Sequence, residues 1–462
     1  MLPWLVAVAF FMESLDTTIL NTAVPVIAKA LAIPPLNMKS VLASYTLSLA
    51  VFIPISGWMA DRFGTRRVFS AAIGIFTLGS VLCGISTDVH MLVACRIIQG
   101  VGGAMMVPVG RLTLVRTFPK FELVKAMSFV AIPGLVGPML GPIAGGLIVD
   151  YLHWRAIFFL NLPVGIAGLI LVYLRLPDYR ERTKRPLDLV GMILFGAGIA
   201  LLSYVLEIFG EHSLNTGEVM GLLVISLALL AGYALHAKKT TYPLLQLSLF
   251  RIRTFAAAVS GSFFTRLGIG GIPFLLPLLY QEGLGLTPVQ SGLLITPQAA
   301  AALSTKFFMP QLLSRVGYRN VLVANTILLG LVLMLFATVG PGTPIWLIVV
   351  QAFCYGALTS TQYSSMNTLA YADVEPARAS GASSIASTMQ QLSISFGVAA
   401  AGLATIVFLP DRNHVGSQQI ITGLHQAFLA LGAFTILSTI IFRRLKNSDG
   451  RDETQQKDIH LG

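Results

Sequence analysis

Long apolar segments recur along this chain of 462 residues, and they constrain its fold more than any other feature. Each is long enough to cross a hydrocarbon core of roughly 30 Å as a helix. Charged residues make up 11% of the chain, against about 25% in a typical soluble domain. Strands of a membrane barrel alternate polar and apolar residues over about ten positions, which these segments do not. The sequence therefore predicts an all-α integral membrane protein.

The segments predict fourteen membrane-spanning helices in groups of six, two and six. They lie near residues 3–30, 41–60, 66–86, 90–112, 122–150, 156–174, 188–208, 217–237, 253–281, 287–311, 319–339, 344–366, 378–408 and 421–443. We expect four regions: a first six-helix half (1–176), linkers with two inserted helices (177–252), a second six-helix half (253–443) and a polar tail (444–462). The composition of the tail is typical of disorder.

The basic residues are concentrated in alternate loops, although the formal charge of the whole chain is +11. With fourteen spans and both termini inside, about 24 of the 31 Lys and Arg fall in cytoplasmic loops and the tail, as the positive-inside rule requires. This distribution indicates a multi-pass protein of the cell inner membrane with both termini in the cytoplasm. It argues against a nucleic-acid partner, and nothing in the chain calls for a protein partner, so we expect a monomer.

The most charged short loop reads GWMADRFGTRRV, at residues 57–68. Gly57 and Gly64 are predicted to permit a tight turn at the membrane surface, and Arg62 and Arg66 hold the loop in the cytoplasm.

A weaker copy of this loop, SRVGYRNV, occurs at residues 314–321. It keeps the Arg-X-Gly-X-Arg spacing, with Ser314 in the place of Asp61. Repetition of such a helix-loop-helix unit in one apolar chain is typical of secondary transporters built from two halves.

Two carboxylates, Glu13 and Asp16, lie inside the first span. Carboxylates in a span are costly and are usually paired or functional, and a spacing of three puts both on nearly one helix face. Close carboxylates in a low dielectric tend to hold at least one proton near neutral pH, as a proton-coupled cycle needs. In the alternative interpretation, Asp16 only completes a polar network with Thr17, Thr18 and Asn21.

Arg96 opens the stretch RIIQGVGGA in the fourth span. A guanidinium inside the bilayer needs an acceptor, and its field stabilises a nearby ionised carboxylate. A conformational cycle that separates the two would favour protonation of that carboxylate. The alternative is a purely structural pairing of Arg96 with backbone carbonyls.

The fifth span carries GLVGPMLGPIAGG at residues 134–146. Small residues at close spacing let helices approach, while Pro138 and Pro142 remove backbone donors and permit a kink. With Gly137 and Gly141 they predict a hinge or sliding contact between the halves. Plain packing of small residues is the alternative.

Polar residues within the second half are candidates for the substrate cavity. Arg266 lies about 20 Å along its span from Thr254, so we expect it to line the cavity or to pair with a first-half carboxylate. Lys306 is nearer the cytoplasmic end and could snorkel. The full set of cavity candidates is Asn21, Gln99, Arg266, Gln390 and Gln391.

Together these motifs resemble the fourteen-helix drug:proton antiporter group of the major facilitator superfamily, over nearly the whole chain. LDTTILNTAVP at residues 15–25 and WRAIFFLNLPVG at residues 154–165 are also similar to motifs of that group. The resemblance implies two six-helix repeats with two inserted helices, and proton coupling through Asp16 with Arg96 in the proton pathway.

The resemblance further implies that Asp61 docks on the amino-terminal end of a helix near residues 377–381 in the outward-facing state, where the helix dipole attracts it. Trp154 is expected at the membrane interface. The predicted proton-coupling residues are Glu13, Asp16 and Arg96. The predicted gating residues are Gly57, Asp61, Arg62, Gly64, Arg66, Gly137, Pro138, Gly141 and Pro142.

The leading hypothesis is a proton-driven exporter of amphipathic, cationic organic compounds. A dedicated exporter of one endogenous metabolite, or a lipid-related carrier, is the first alternative, and a non-transporting sensor or scaffold is the second. No metal-ligand spacing, cysteine framework or nucleotide-binding GxxxxGK(S/T) occurs. We therefore expect no enzyme activity, no cofactor and no metal, so that energy comes from an ion gradient.

Overall fold

The structure is a computed structural model that describes residues 2–118, 120–180, 186–208, 215–375, 378–408, 417–446 and 448–449; within these ranges the side chains of 120–128, 131–135, 207, 208, 216 and 310 are not described. All regular elements in the described ranges are helical. The helices are α1 (Leu2–Ala30), α2 (Lys39–Phe63), α3 (Thr65–Gly84), α4 (Val89–Thr117), α5 (Lys120–Tyr151), α6 (Ala156–Phe159), α7 (Asn161–Arg175), α8 (Leu189–Ile208), α9 (Thr216–Lys239), α10 (Arg253–Ile269), α11 (Ile272–Leu278), α12 (Pro288–Val316), α13 (Tyr318–Leu335), α14 (Ile345–Ala372), α15 (Ala379–Phe408), α16 (Ser417–Leu437) and α17 (Thr439–Phe442).

Twelve helical segments of the described chain are long and apolar enough to cross a membrane. Helices α5 and α12 are not among these twelve but coincide with the two remaining predicted spans, and they contain 32 and 29 residues. The all-α membrane class is confirmed. The count of fourteen spans stays a prediction, as do the limits of the four regions.

Two glycines with positive φ join α2 to α3 and α12 to α13. Gly64 has φ 97° and Gly317 has φ 82°, and each donates its N–H to a carbonyl four residues earlier, at 3.0 Å. Their equal positions in the two loop copies support the repeat inferred from the sequence. Gly57 was expected to share this turn, but it lies inside α2, because one left-handed residue is enough to reverse the chain here.

The segment after α7 covers the start of α3. The Thr65 hydroxyl donates to the carbonyl oxygen of Pro177 at 3.1 Å, and the N–H of Arg66 donates to Asp178 at 3.2 Å. A Cβ added at Gly64 would overlap the carboxylate of Asp178. Glycine at this position is therefore required both by the backbone conformation and by the linker.

The predicted span at 253–281 is interrupted between α10 and α11. Gly270 and Gly271 occupy the break, where α10 meets α15. A Cβ added at Gly271 would lie 2.6 Å from the carbonyl oxygen of Gly397. The absence of side chains thus lets the two backbones approach closely, as small residues do in membrane helices.

Helices of the first half meet those of the second through α2 with α15, α5 with α12 and α1 with α11. Gln281 donates to the carbonyl oxygen of Thr22 at 2.9 Å, and the N–H of Val289 donates to Asp150 at 3.0 Å. A large buried apolar cluster from both halves surrounds this end of the interface and includes Phe274. The halves are therefore closed against each other at this end.

Part of the predicted tail can be described. Asp449 forms an ion pair with Arg253 at the start of α10 and accepts the N–H of Lys446 at 2.8 Å. Residues 447 and 450–462 lie outside the described residues, so the expectation of disorder there remains a prediction.

Candidate functional site

A cavity of about 1400 Å³ lies between the halves, bordered mainly by α1, α2, α4, α15 and the linker segments 186–188 and 241–246. Helix α14 adds Asn367 and Tyr371, and α12 adds Lys306. Its charged and amide-bearing lining residues are Glu13, Asp61, Arg62, Arg111, Asp188, Gln246, Lys306, Asn367, Gln390 and Gln391. Apolar and aromatic side chains such as Phe10, Ile53 and Trp58 lie between them. This mixture of broad apolar walls and a few polar groups is typical of sites for small organic molecules.

The cavity reaches one face of the molecule, which we call the arginine-rich side. Arg62, Arg116 and Arg315 lie in the last turns of α2, α4 and α12 on that side, and Arg378 immediately precedes α15. The lining residues extend there to the linker segments 186–188 and 241–246 and to the start of α15. At the opposite end, the interface described above fills the space between the halves.

A buried cluster in the first half is centred on Asp16. Arg96 donates through Nη1 to Asp16 Oδ2 at 2.6 Å, and Gln99 donates through Nε2 to Asp16 Oδ1 at 2.8 Å. Arg96 also donates to the Gln99 side-chain oxygen at 2.8 Å. The side chains of Arg96 and Asp16 are each 1% exposed. Charge-assisted hydrogen bonds of this kind offset part of the cost of burying both charges.

Asn161, the first residue of α7, completes the cluster. Its side-chain nitrogen donates to Asp16 Oδ1 at 2.9 Å and lies 3.0 Å from the Ser80 hydroxyl, which itself donates to the carbonyl oxygen of Phe158. The Asp16 carboxylate thus accepts from three side chains on two other helices. Each of these groups acts as a donor, so the carboxylate is surrounded by hydrogen-bond donors.

The face of Tyr45 covers the other side of the Arg96 guanidinium, with its ring centroid 4.3 Å from the guanidinium carbon. Such a contact is favourable for a desolvated cation. Arg96 is therefore enclosed by Asp16, Gln99 and an aromatic ring. In the alternative interpretation, Arg96 would pair with backbone carbonyls. None of its described hydrogen bonds has a backbone acceptor.

Glu13 lies three residues before Asp16 on α1 but faces the cavity. Its side chain is partly exposed, whereas Asp16 is buried. Arg111 of α4 lines the same part of the cavity and stacks over Phe10 at 5.5 Å. The two carboxylates of α1 therefore occupy different surroundings, one open to the cavity and one enclosed.

The glycines of α5 pack against the same segment of α1. A Cβ at Gly137 would lie 2.9 Å from Ser14 Cβ, and one at Gly141 would overlap the Thr18 side chain. On its other face α5 meets α12, where a Cβ at Gly146 would lie 2.7 Å from the carbonyl oxygen of Pro288. Helix α5 thus contacts both the carboxylate-bearing helix and the second half. Pro138 is exposed and Pro142 is buried in this segment.

Among the described residues, the ion pair of Asp61 is with α4 and not with the start of α15. Asp61 accepts from Arg116, at the end of α4, at 2.7 Å, and both side chains are partly exposed. Asp61 and Gly381 both border the cavity opening. Because the halves are apart at this side, the docking contact expected for the other conformational state is not formed here.

The two linkers beside the cavity are joined by Asp188, which precedes α8. It accepts the N–H of Gly191 at 2.8 Å and that of Leu244 at 3.0 Å, and it lies 2.7 Å from His236 Nε2 on α9. Burial raises the pKa of Asp188, but these hydrogen bonds lower it more, so that its pKa lies below the ordinary value. The carboxylate therefore fastens both inserted helices to the linker at 241–246.

The other cavity candidates divide into two groups. Gln390 and Gln391 line the cavity, as does Lys306. Gln99 lies instead in the Asp16 cluster, and Asn21 is not among the lining residues.

Arg266 takes neither arrangement expected of it. Its side chain is buried, its Nε donates to the Ser262 hydroxyl at 3.1 Å, and its guanidinium carbon lies 3.4 Å from the Tyr363 ring centroid. No ion pair of Arg266 is found among the described residues. Trp154 is buried and stacks with Arg155 at 4.6 Å, so its ring packs inside the protein; its place at the membrane interface stays a prediction.

Asn161 and Arg111 are site residues that the sequence did not single out. Asn161 stands in the sixth predicted span, where its polarity alone marked it as unusual. Arg111 was assigned to the end of a span, and only the cavity distinguishes it from a surface arginine. Their positions depend on which helices become neighbours.

Known proteins agree with this architecture. A family model described as Major Facilitator Superfamily matches residues 6–398 and 258–461. A protein of Serratia proteamaculans named "Putative multidrug resistance protein MdtD" is 41% identical over 459 residues, which cover 99% of this chain and 96% of that protein. A protein of Escherichia fergusonii with the same name is 42% identical over 444 residues, covering 96% and 94%.

Solved structures show the same fold at low identity. The POT family transporter PepTSo aligns with a TM-score of 0.71 at 14% identity, over 100% of this chain and 98% of that one. A D-xylose-proton symporter aligns with a TM-score of 0.68 at 14% identity, over 97% and 98%. By its sequence and by its fold, this multi-pass membrane chain belongs to the major facilitator superfamily.

Proposed function

We propose that this protein is a proton-coupled antiporter that exports amphipathic organic compounds across the bacterial inner membrane. The observation that carries the proposal is the Asp16 carboxylate, fully bound by Arg96, Gln99 and Asn161 one helical turn from a cavity-facing carboxylate. Intramembrane carboxylates of this kind are costly and are usually retained for function. The names of the 41–42% identical relatives support drugs as the substrate class.

The cluster supports a link between protonation and helix movement. A protonated Asp16 would accept fewer hydrogen bonds than the ionised form, since one oxygen would carry a proton that faces existing donors. Proton uptake therefore favours separation of Asp16 from Arg96 and from Asn161. Because these three residues stand on α1, α4 and α7, protonation changes the preferred packing of those helices.

Glu13 is suited to exchange protons with the cavity. It is partly exposed to the cavity and lies on nearly the same face of α1 as Asp16. A proton that enters from water could reach Glu13 before the enclosed carboxylate. We therefore assign Glu13 to proton entry and exit, and Asp16 with Arg96 to the conformational response.

The arginine-rich side is taken as cytoplasmic by the positive-inside rule. This structure then has its cavity accessible from the cytoplasm, with both chain ends on that side. Export requires a second state, closed at the cytoplasmic side. In that state we propose that Asp61 leaves Arg116 and docks on the start of α15, while α5, with Gly137, Pro138, Gly141 and Pro142, slides against α12.

Proton movement in proteoliposomes tests this proposal. Wild type, Asp16→Asn and the control Asp88→Asn are reconstituted with an internal pH dye, a proton gradient is imposed, and amphipathic compounds are added one at a time. Asp88 is the N-cap of α4 on the opposite side, and Asn caps helices equally well. We expect compounds to trigger proton movement in wild type and Asp88→Asn, and not in Asp16→Asn.

The alternatives give different results. If no compound moves protons in folded wild type, the broad export function is wrong, and a single endogenous substrate or a non-transporting role takes its place. If Asp16→Asn retains full coupling, transport stands but the role given to the carboxylate does not.

A further inference from the structure

The cavity lining has equal numbers of acidic and basic side chains, but the protein does not compensate them equally. Its lining contains three acidic side chains, Glu13, Asp61 and Asp188, and three basic ones, Arg62, Arg111 and Lys306. A cavity with low-dielectric walls focuses the field of any unbalanced charge toward its ligand. The sign of the ligand can therefore be inferred from which of these six charges are already compensated.

Two of the three acidic side chains already have partners within the protein. Asp61 forms an ion pair with Arg116, which does not line the cavity. Asp188 accepts two backbone N–H groups and lies 2.7 Å from His236. Glu13 alone has no ion pair among the described residues and faces the cavity. Arg111 interacts electrostatically with Glu13. Arg62 and Lys306 are therefore the cavity charges without a described charged partner.

The three bases have no ion pair among the described residues, and each is exposed. They stand at increasing depth from the arginine-rich side. Arg62 is at the end of α2, Arg111 lies about 9 Å from the end of α4, and Lys306 lies about 15 Å from the end of α12, at 1.5 Å per residue. Positive charge therefore lines the route into the cavity.

Lys306 shares its depth with other polar lining residues. Gln390 lies about 16 Å from the start of α15 and Glu13 about 16 Å from the start of α1. The amide groups of Gln390 and Gln391 can donate hydrogen bonds to an anionic group beside Lys306. This level of the cavity thus combines a cation, amide donors and apolar walls.

Arg266 is a further positive charge within the second half. It is buried, with a hydroxyl and a tyrosine ring as its described contacts. A buried cation without a described counter-charge is poorly screened. Arg266 does not line the cavity, and its charge adds to the positive potential of the second half.

We infer that the ligand of this cavity is an organic anion, with a carboxylate or phosphate group bound at Lys306, Gln390 and Gln391 and an apolar body against the walls. This inference rests on the proposed function for the direction of transport, but not for the binding step. It differs from the cationic substrate expected from the sequence. A soluble carboxylate and an anionic phospholipid share this chemistry.

Equilibrium binding separates the ligand class from transport. The full chain in nanodiscs of phosphatidylcholine is titrated with fluorescein, an anion, and with rhodamine 123, a cation on the same xanthene ring, and fluorescence anisotropy is followed. We expect fluorescein to bind about tenfold more tightly than rhodamine 123, as one unbalanced charge in a partly solvated site allows. Replacing some phosphatidylcholine with phosphatidylglycerol identifies the source: displacement of fluorescein indicates a lipid anion, and unchanged binding a soluble one.

Variants that remove a positive or a negative charge from the cavity make the test more specific. Lys306→Gln should weaken fluorescein binding about fivefold without weakening rhodamine 123, whereas Glu13→Gln should strengthen fluorescein and weaken rhodamine 123. Lys29→Gln, on the exposed opposite end of α1, should change neither. Thermal unfolding of each variant checks that the fold is intact.

The inference is overturned if rhodamine 123 binds as tightly as fluorescein, or if Lys306→Gln weakens both dyes equally. Proton-coupled transport of cations alone would also reject it and leave the proposed function standing. Selective binding of fluorescein without any proton movement would reject the proposed function and leave the ligand class standing.

Discussion

Arg96 and Asp16 form a salt bridge of 2.6 Å in which both side chains are almost fully enclosed. Breaking such a pair from one side leaves an uncompensated buried charge, which costs about 3–5 kcal/mol. We therefore predict that Arg96→Gln strongly lowers the unfolding temperature in detergent. The double variant Asp16→Asn/Arg96→Gln should recover part of the loss, because neither charge remains. Equal and additive losses would show that the residues do not act as a pair.

Asn161 is predicted to stabilise the cluster through its hydrogen bonds to Asp16 and Ser80. A hydrogen bond to a charged group contributes about 1.5–3 kcal/mol, so Asn161→Leu should reduce stability by this amount and impair transport. Asn320→Leu is the matched control, since Asn320 is exposed on α13 and should change stability by less than about 0.5 kcal/mol. Thermal unfolding and the proteoliposome assay provide both measurements. Similar effects of the two substitutions would contradict the prediction.

The glycines of the loop at 57–68 should respond differently to alanine. In Gly64→Ala, the alanine would need a left-handed backbone conformation, which costs about 1–2 kcal/mol. Its Cβ would also overlap Asp178. Gly57→Ala meets no atom within 4 Å and should stabilise α2 by up to about 1 kcal/mol. Thermal unfolding distinguishes the two. A loss of transport in stable Gly57→Ala would support its predicted gating role.

The Asp61 to Arg116 ion pair is partly exposed, so its contribution to stability should be only about 0.2–1 kcal/mol. Asp61→Asn and Arg116→Gln should therefore unfold at similar temperatures. If Asp61 also docks on α15 in the other state, Asp61→Asn should slow transport much more than Arg116→Gln. Equal transport by the two variants would remove the second contact from the cycle.

The linkers beside the inserted helices should loosen in acid. The pKa of Asp188 is lowered in the folded protein, so its contribution to stability is fully present above its unfolded pKa of about 3.9 and is lost as the pH falls through the lower folded value. We predict that Asp188→Asn is less stable than wild type at pH 7 and that the difference shrinks below about pH 4. A difference that stays constant with pH would assign the effect to packing instead.

Hydrophobic length and charge placement predicted the membrane class correctly, because a backbone in lipid must satisfy its own hydrogen bonds and so forms long helices. The repeated glycine loop predicted the matching turns at Gly64 and Gly317. Periodicity along α1 also placed Glu13 and Asp16 on nearly one face. These are properties of a single segment, and each can be read without knowledge of its neighbours.

The tertiary structure decided which neighbours those segments have. It placed Asn161 and Gln99 on Asp16, directed Glu13 alone into the cavity, buried Trp154 and Arg266, and left Lys306 facing open space. None of these results follows from the spacing within one helix, because a helix face specifies only its own polarity. Which helix covers that face depends on packing among all of the spans, where small residues such as those of α5 determine how closely two backbones can approach.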